Sequence, residues 1–319
     1  MLPLLVVNPA SGAGRTRERW AATASAFRTH FGPFECAFTE ARGDATMIAE
    51  RESIAGRRLL IACGGDGTVS EVANGILRSG HDTELAVLPS GTGGDFRRTL
   101  GIPARTAGAA LALRNGISTR IDAARVSCAD ETGIMHERFF VNVASFGLSA
   151  AVVGRMAENS RVGMTAPSGL GRFVSGPLSY AVATLQAFPH FSAPTIQLRL
   201  DDEVPFRITA SNLCVANARY FGGGMKIAPD AKLDDGWLDV IAIGDLGALT
   251  LLSKSYRLYL GTHISLPSVH HRLALRVNAE QLGDGRQDPV RVEADGELIG
   301  RLPASFEVLP SALRVRLPA

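Results

Sequence analysis

Residues 59–63 are apolar at every position, with Arg57-Arg58 before them and Gly64-Gly65 after. A strand with one face in water alternates polar and apolar residues, so this run predicts a strand covered on both sides. The neighbouring segments supply the cover. Residues 2–7 are a second apolar run, 8–14 a polar glycine turn, and the stretch toward Phe31 is helical. Residues 34–38 read as a strand and 44–54 as a helix. The loop 64–68 opens a helix at 69–77; residues 85–88, the loop 89–94 and a helix through Phe96 repeat the device. Strand, loop and helix in this alternation predict a Rossmann-like parallel sheet between helices.

Beyond residue 122 the texture changes. Short strands are expected at 139–143, 196–200, 206–210, 213–218, 238–243, 273–277 and 290–294, with helices reduced to 150–156, 178–188 and 246–260. Many strands separated by turns predict an antiparallel β-sandwich. The chain thus divides into an α/β half at 1–122, completed by the C-terminal segment 303–319, and a β-rich half at 123–302. A cleft is expected between them.

Composition narrows the function classes. The 319 residues suffice for about two ordinary domains. A net charge of +2 is far from the clustered excess of a nucleic-acid binder. Only Lys226, Lys232 and Lys254 among the thirty-three basic residues are lysines, a bias that genome base composition mostly explains. Cys36, Cys63, Cys128 and Cys214 form no C-x-x-C pair, which argues for a reduced, cytosolic setting without a zinc site. The N-terminus shows neither the basic region nor the cleavage site of a signal peptide. The uncharged stretch 173–198 is broken by Pro177, Gln186, Pro189, His190 and Pro194, which argues against a spanning helix.

Gly64-Gly65-Asp66-Gly67-Thr68 is the sharpest local signal. It follows the doubly covered strand, at the sheet edge where α/β folds bind ligands. Its glycines let a phosphate approach the backbone, and the next helix offers free N–H groups and a positive dipole end. A tight structural turn with Asp66 capping the helix is the competing reading. Asn8-Pro9-Ala10-Ser11-Gly12 and Pro89-Ser90-Gly91-Thr92-Gly93-Gly94-Asp95-Phe96 also sit between apolar strands and helices. All three loops are expected on one edge, which favours phosphate binding. No G-x-x-x-x-G-K-[ST] occurs, and the first turn lacks G-x-G-x-x-G, so a P-loop is excluded and the dinucleotide fingerprint is absent. Asp66 and Asp95 are placed to coordinate Mg²⁺, which prefers oxygen ligands. Taken alone, Asp295-Gly296-Glu297 reads as a hairpin turn, and Asp234-Asp235-Gly236 and His270-His271 read as ordinary turns.

Together these residues resemble the catalytic domain of the diacylglycerol kinase family, which includes soluble bacterial lipid kinases and is related to sphingosine and ceramide kinases. The resemblance rests on Asn8-Pro9-x-Ser11-Gly12, on the GGDGT loop with Glu71 and Asn74-Gly75, and on Gly91-Thr92 with Asp95-Phe96. Gly222-Gly223-Gly224-Met225, Ala228-Pro229-Asp230-Ala231 and the run from Asp234 to Val240 resemble the family's second-domain signature, and Asp295-Gly296-Glu297 its DGE element. GGDGT alone is shared with NAD kinases; the second-domain pair points to a lipid kinase.

The resemblance implies an ATP site at Asn8, Pro9, Ala10, Ser11, Gly12, Thr39, Gly64, Gly65, Asp66, Gly67, Thr68, Glu71, Gly91 and Thr92. It implies Glu297 as the base for the substrate hydroxyl, with Asp295 close by and Asp66 and Asp95 as further catalytic carboxylates. It implies Mg²⁺ at the Asp235 carboxylate and the backbone carbonyls of Lys232 and Trp237, in a structural or a catalytic role. The implied reaction moves the γ-phosphate of ATP to the hydroxyl of a diacylglycerol-like or ceramide-like lipid. The implied setting is cytoplasmic with peripheral membrane contact and no nucleic-acid partner; homodimerisation is left open. One departure stands out: Gly94 replaces the family's usual asparagine. Two other functions stay open, a kinase of a soluble acceptor such as NAD and a nucleotide-binding regulator without turnover. The segment 162–191, with Met164, Phe173, Tyr180 and Phe188, either shields an acyl-chain entrance or is core packing.

Overall fold

A computed structural model describes residues 1–91, 94–130, 132–161, 191–247, 250, 253–283 and 288–319, with backbone alone at 156–161. In the first half β1 (Leu4–Val7), β2 (Glu35–Phe38), β3 (Leu59–Gly64) and β4 (Glu84–Pro89) pair in parallel in the order β2-β1-β3-β4. Helices α1 (Arg15–His30), α2 (Asp44–Ile54) and α3 (Asp66–Ser79) connect them, and α4 (Asp95–Thr99) and α5 (Thr106–Arg114) follow. All of β3 is buried, as its composition demands. Helices α2 and α3 meet at Gly75, where a Cβ would stand 2.4 Å from the Thr46 carbonyl oxygen. Only glycine allows that approach.

The second half comprises β5 (Ile117–Ala129), β6 (Met135–Phe140), β7 (Val143–Gly147), α6 (Leu148–Arg161), β8 (Thr195–Leu200), β9 (Phe206–Ala216) and β10 (Leu238–Gly244). It continues with α7 (Tyr256–Leu260), β11 (Val269–Ala274), β12 (Arg276–Leu282), β13 (Arg291–Ala294) and β14 (Glu297–Leu317). The pairing circuit β7-β9-β8-β12-β14-β13 returns to β7, so the layers of the expected sandwich are joined along their edges. Phe140, Phe146, Leu198, Val215, Val277 and Phe306 are part of the core that forms there.

Several features depart from the sequence reading. The strand expected at 139–143 falls across the end of β6 and the start of β7, and that at 273–277 across the end of β11 and the start of β12. The helix expected at 246–260 is described as a helix at Tyr256–Leu260. The strands expected at 206–210 and 213–218 are one, β9, which pairs with β8 at its start and with β7 and β10 further on. The two longest strands, β5 and β14, were not anticipated. Pro303 and Pro310 interrupt the pattern of β14, and its register shifts at Arg301/Ala304 and Leu309/Leu313, where a bulged strand bends. The start of β14 pairs with β13 and its end runs parallel to β4, with Arg314 opposite Glu84. One strand therefore serves both halves, and β5 runs alongside it through residue 122.

Thr92, the helix expected at 178–188 and almost all of the apolar segment from 162 onward lie outside the described residues. His270-His271 lies within β11 and not in a turn; the His271 imidazole meets the Asp239 carboxylate across the β10–β11 pair at 2.7 Å, which holds its pKa above the usual value. Among the described residues no helix is long and apolar enough to cross a membrane.

Candidate active site

The three glycine loops converge at the carboxyl ends of β1, β3 and β4. Asn8 N–H donates to the Cys63 carbonyl at 3.0 Å, and the Asn8 amide donates to the Thr68 hydroxyl at 3.2 Å. Ser11 and Ser90 share a hydroxyl contact at 3.3 Å. Ser90 and Gly91 N–H groups both donate to the Gly64 carbonyl at 3.1 Å. A Cβ on Gly91 would lie 2.5 Å from the Gly65 Cα, so the loops touch backbone to backbone. Helix α3 starts at Asp66, which makes Asp66-Gly67-Thr68 its first turn rather than a loop before it. Its free N–H groups accordingly face this edge.

Asp66 caps a helix, but not its own. Its carboxylate accepts N–H bonds from Gly94 at 2.7 Å, Asp95 at 3.1 Å and Phe96 at 3.2 Å, which are the orphan donors at the start of α4. Gly94 adopts φ +72 there. Glycine and asparagine are the residues that take this left-handed conformation most readily, so the exchange of the family's asparagine for Gly94 preserves the backbone. Asp95 is buried and bonded to the Arg98 guanidinium at 2.7 Å, and it accepts Gly223 N–H at 2.8 Å from the second half. Burial, reinforced by the Asp66 charge, pushes its carboxyl up to about 6. Both carboxylates expected on Mg²⁺ are thus already engaged in joining loops.

The DGE element is a hairpin, as its spacing predicts. Asp295 and Gly296 have φ 49 and 83, and Ala294 pairs with Glu297 across a two-residue turn of type I′. The Asp295 carboxylate accepts N–H bonds from Val141, Asn142 and Val143 at 3.0–3.3 Å, which clamps the β6–β7 connection. Burial lifts it to about 6 against those bonds. Glu297 meets two arginines at one oxygen: Arg42 Nη2 lies 3.0 Å from its Oε2, and Arg138 Nη2 contacts the same atom.

Arg42 comes from the first half and Arg138 from the second, and each is held in place by a motif residue. Glu71 uses both carboxylate oxygens on the Gly43 and Ala45 N–H groups, at 3.1 and 3.2 Å, where the loop that carries Arg42 enters α2. Asn74 donates to the Phe139 carbonyl at 2.8 Å and accepts Phe139 N–H at 3.0 Å, pairing with β6 as a neighbouring strand does, next to Arg138. Sequence reasoning missed both arginines, because nothing in their spacing relates residues 42, 138 and 297.

Glu293 was missed as well. It is 3% exposed and bonds to Ser145, and it accepts Gly296 N–H at 2.9 Å, bracing the hairpin from within. Burial raises its carboxyl to about 7, with Ser145 and Gly296 opposing. A folded-state pKa above the unfolded value means that the folded protein holds the extra proton. Stability is then lost as pH rises from about 4.5 through about 7. Glu293→Gln can donate to Ser145 and accept from Gly296, so it is expected to unfold at higher denaturant than wild type at about pH 8. The gain is up to about 3 kcal/mol and vanishes toward about pH 5. Denaturation curves with the same offset at both pH values would show that Glu293 does not titrate in this window.

The loop with Lys232, Asp235 and Trp237 stands apart from the hairpin. Buried Asp122 ties it down by accepting Gly236 N–H at 2.7 Å, and Asp122 also accepts Ser311 N–H where β14 bends. Trp237 N–H donates to Asp235 Oδ1 at 3.1 Å. One exposed carboxylate and two main-chain carbonyls are hard oxygen donors, a set that fits a largely hydrated Mg²⁺. Among the described residues no three His, Cys, Asp or Glu side chains gather as a metal site. Thr39 N–H donates to the Val7 carbonyl at 2.9 Å, on the same edge as the glycine loops.

Comparison with known proteins decides the family. Residues 3–126 match the diacylglycerol kinase catalytic domain, and residues 149–317 match the YegS C-terminal NAD kinase beta sandwich-like domain. Diacylglycerol kinases of Staphylococcus epidermidis and Staphylococcus aureus are 32% and 33% identical over 285 residues, covering 88% of this chain and 80% and 81% of theirs. The chain belongs to the diacylglycerol kinase catalytic-domain family. It is a kinase of the diacylglycerol kinase and YegS type. Two crystal structures from Bacillus anthracis share the fold of this family member. They have TM-scores of 0.73 and 0.70 at 24% and 21% identity, and cover 99% of this chain and 95% and 96% of theirs.

Proposed function

We propose that this kinase transfers the γ-phosphate of ATP to the hydroxyl of a membrane lipid of the diacylglycerol or ceramide type, working in peripheral contact with the membrane. The observation that carries the reading is the joining of two parts. Three phosphate-type loops share one sheet edge, and β14, which runs parallel to β4 in the same sheet, begins at the hairpin carrying Glu297. Asn8 to Gly12, Thr39, Gly64 to Thr68 and Gly91 bind the nucleotide through backbone N–H groups and hydroxyls. Asp235 with the Lys232 and Trp237 carbonyls would hold Mg²⁺, which would supply positive charge in a structural or a catalytic role. Glu297 accepts the proton of the attacking hydroxyl, while positioning and charge stabilisation supply the larger part of phosphoryl-transfer catalysis. Asp66 and Asp95 order the two loops around the transferred group, and Asp295 fixes the hairpin.

A second reading has its own support. The matched C-terminal domain is described as NAD kinase-like, and NAD offers a soluble hydroxyl acceptor. Labelled ATP incubated in parallel with diacylglycerol micelles, ceramide micelles and NAD separates the two. Label in a lipid is the expected outcome, and NADP as the sole product would overturn it.

A further inference from the structure

The two arginines on Glu297 are more than proton transfer requires. We infer that Arg42 and Arg138 form a binding site for a phosphomonoester dianion, with Glu297 filling it as an internal ligand while that anion is absent. The inference deepens the kinase reading above and rests on it for the source of the anion.

Three observations converge. First, the cations come from opposite halves of the molecule, yet both reach the same carboxylate oxygen. Second, their partner is a poor match. Glu297 Oε2 and Arg138 Nε are both buried without a hydrogen bond of proper geometry, although the charges are close. Guanidinium groups present forked N–H donors suited to several oxygens at once, and a tetrahedral phosphate supplies them where one carboxylate oxygen cannot. Arg138 also lies within electrostatic reach of Asp295. That carboxylate is already turned onto three backbone N–H groups. Third, the arrangement is built rather than incidental. Glu71 and Asp44 anchor the Arg42 loop, Asn74 pairs with the strand that bears Arg138, and the Arg42 side chain is 64% exposed and open to a ligand.

The chemistry closes on itself. As the acceptor oxygen bonds to phosphorus, the bond from phosphorus to the nucleotide's bridging oxygen breaks. Glu297 takes the hydroxyl proton and loses its charge. Its pairing with the arginines then weakens as a new phosphomonoester dianion appears, and the guanidinium groups pass from one to the other.

The test uses the full-length protein with saturating Mg·ADP, so that the nucleotide loops are filled. Inorganic phosphate is titrated calorimetrically into wild type, Glu297→Gln, Arg42→Gln and Arg42→Gln/Arg138→Gln. Removing the internal carboxylate is expected to tighten phosphate binding about tenfold, and each arginine variant to weaken it about tenfold or more. An affinity unchanged in Glu297→Gln, or in Arg42→Gln with its exposed side chain, overturns the site. Co-sedimentation with phosphatidylcholine vesicles, with and without phosphatidate, identifies the source. Retention that needs phosphatidate and follows the same order of variants assigns a lipid-borne dianion, whereas retention insensitive to the variants assigns free phosphate. Because binding is measured without turnover, a Glu297→Gln protein that stays active while binding phosphate tightly removes the base and keeps the site.

Discussion

Glu297→Gln is expected to lower transfer of labelled γ-phosphate into lipid by about 10²–10⁴-fold, equivalent to about 3–5 kcal/mol of barrier. Glutamine has the size of glutamate and lacks a site for the proton. The fold should survive, because the hairpin is set by the positive φ of Asp295 and Gly296 and by backbone pairing at Ala294, not by the Glu297 side chain. The fall should therefore appear in kcat with circular dichroism unchanged. A variant that turns over at the wild-type rate would take Glu297 out of the chemistry and leave the hairpin as ordinary structure.

Asp66→Ala is expected to act through stability first. Three N–H groups at the start of α4 lose their shared acceptor, and Asp95, whose N–H is one of them, loses its orientation toward Gly223. Loss of a charged cap with this many donors costs about 2–4 kcal/mol. Thermal unfolding should shift by several degrees, and ATP binding should fall with it. Asp66→Asn keeps one acceptor oxygen and should be intermediate. If Asp66→Asn melts with wild type yet transfers no phosphate, Asp66 acts on the reacting groups and its capping is secondary.

Much of the nucleotide half was legible beforehand. The five-residue apolar run became β3, the helix 44–54 formed within its expected limits, and the three glycine loops met on one edge. Such features depend on neighbours a few residues apart, where periodicity, glycine and turn chemistry act. In the second half local signals misled more often. Prolines hid β14, and β9 was divided because its partners change along its length. Neither property has a short-range signature. Glu71 and Asn74 show the same limit at the site: both stood in the motif, but only the packed molecule connects one to the Arg42 loop and the other to the edge of β6.

The opening run of apolar residues and the glycine strings were enough to settle a parallel α/β half whose glycine loops meet on one edge, since both depend on burial and backbone freedom within one segment. What brought Glu297 against the first half was tertiary contact: Arg42 reaches its carboxylate from the loop after β2, and Asn74 of α3 pairs with β6 beside Arg138, which meets the same oxygen. Residues 42, 138 and 297 become neighbours only through long-range contacts, which local sequence pattern does not encode.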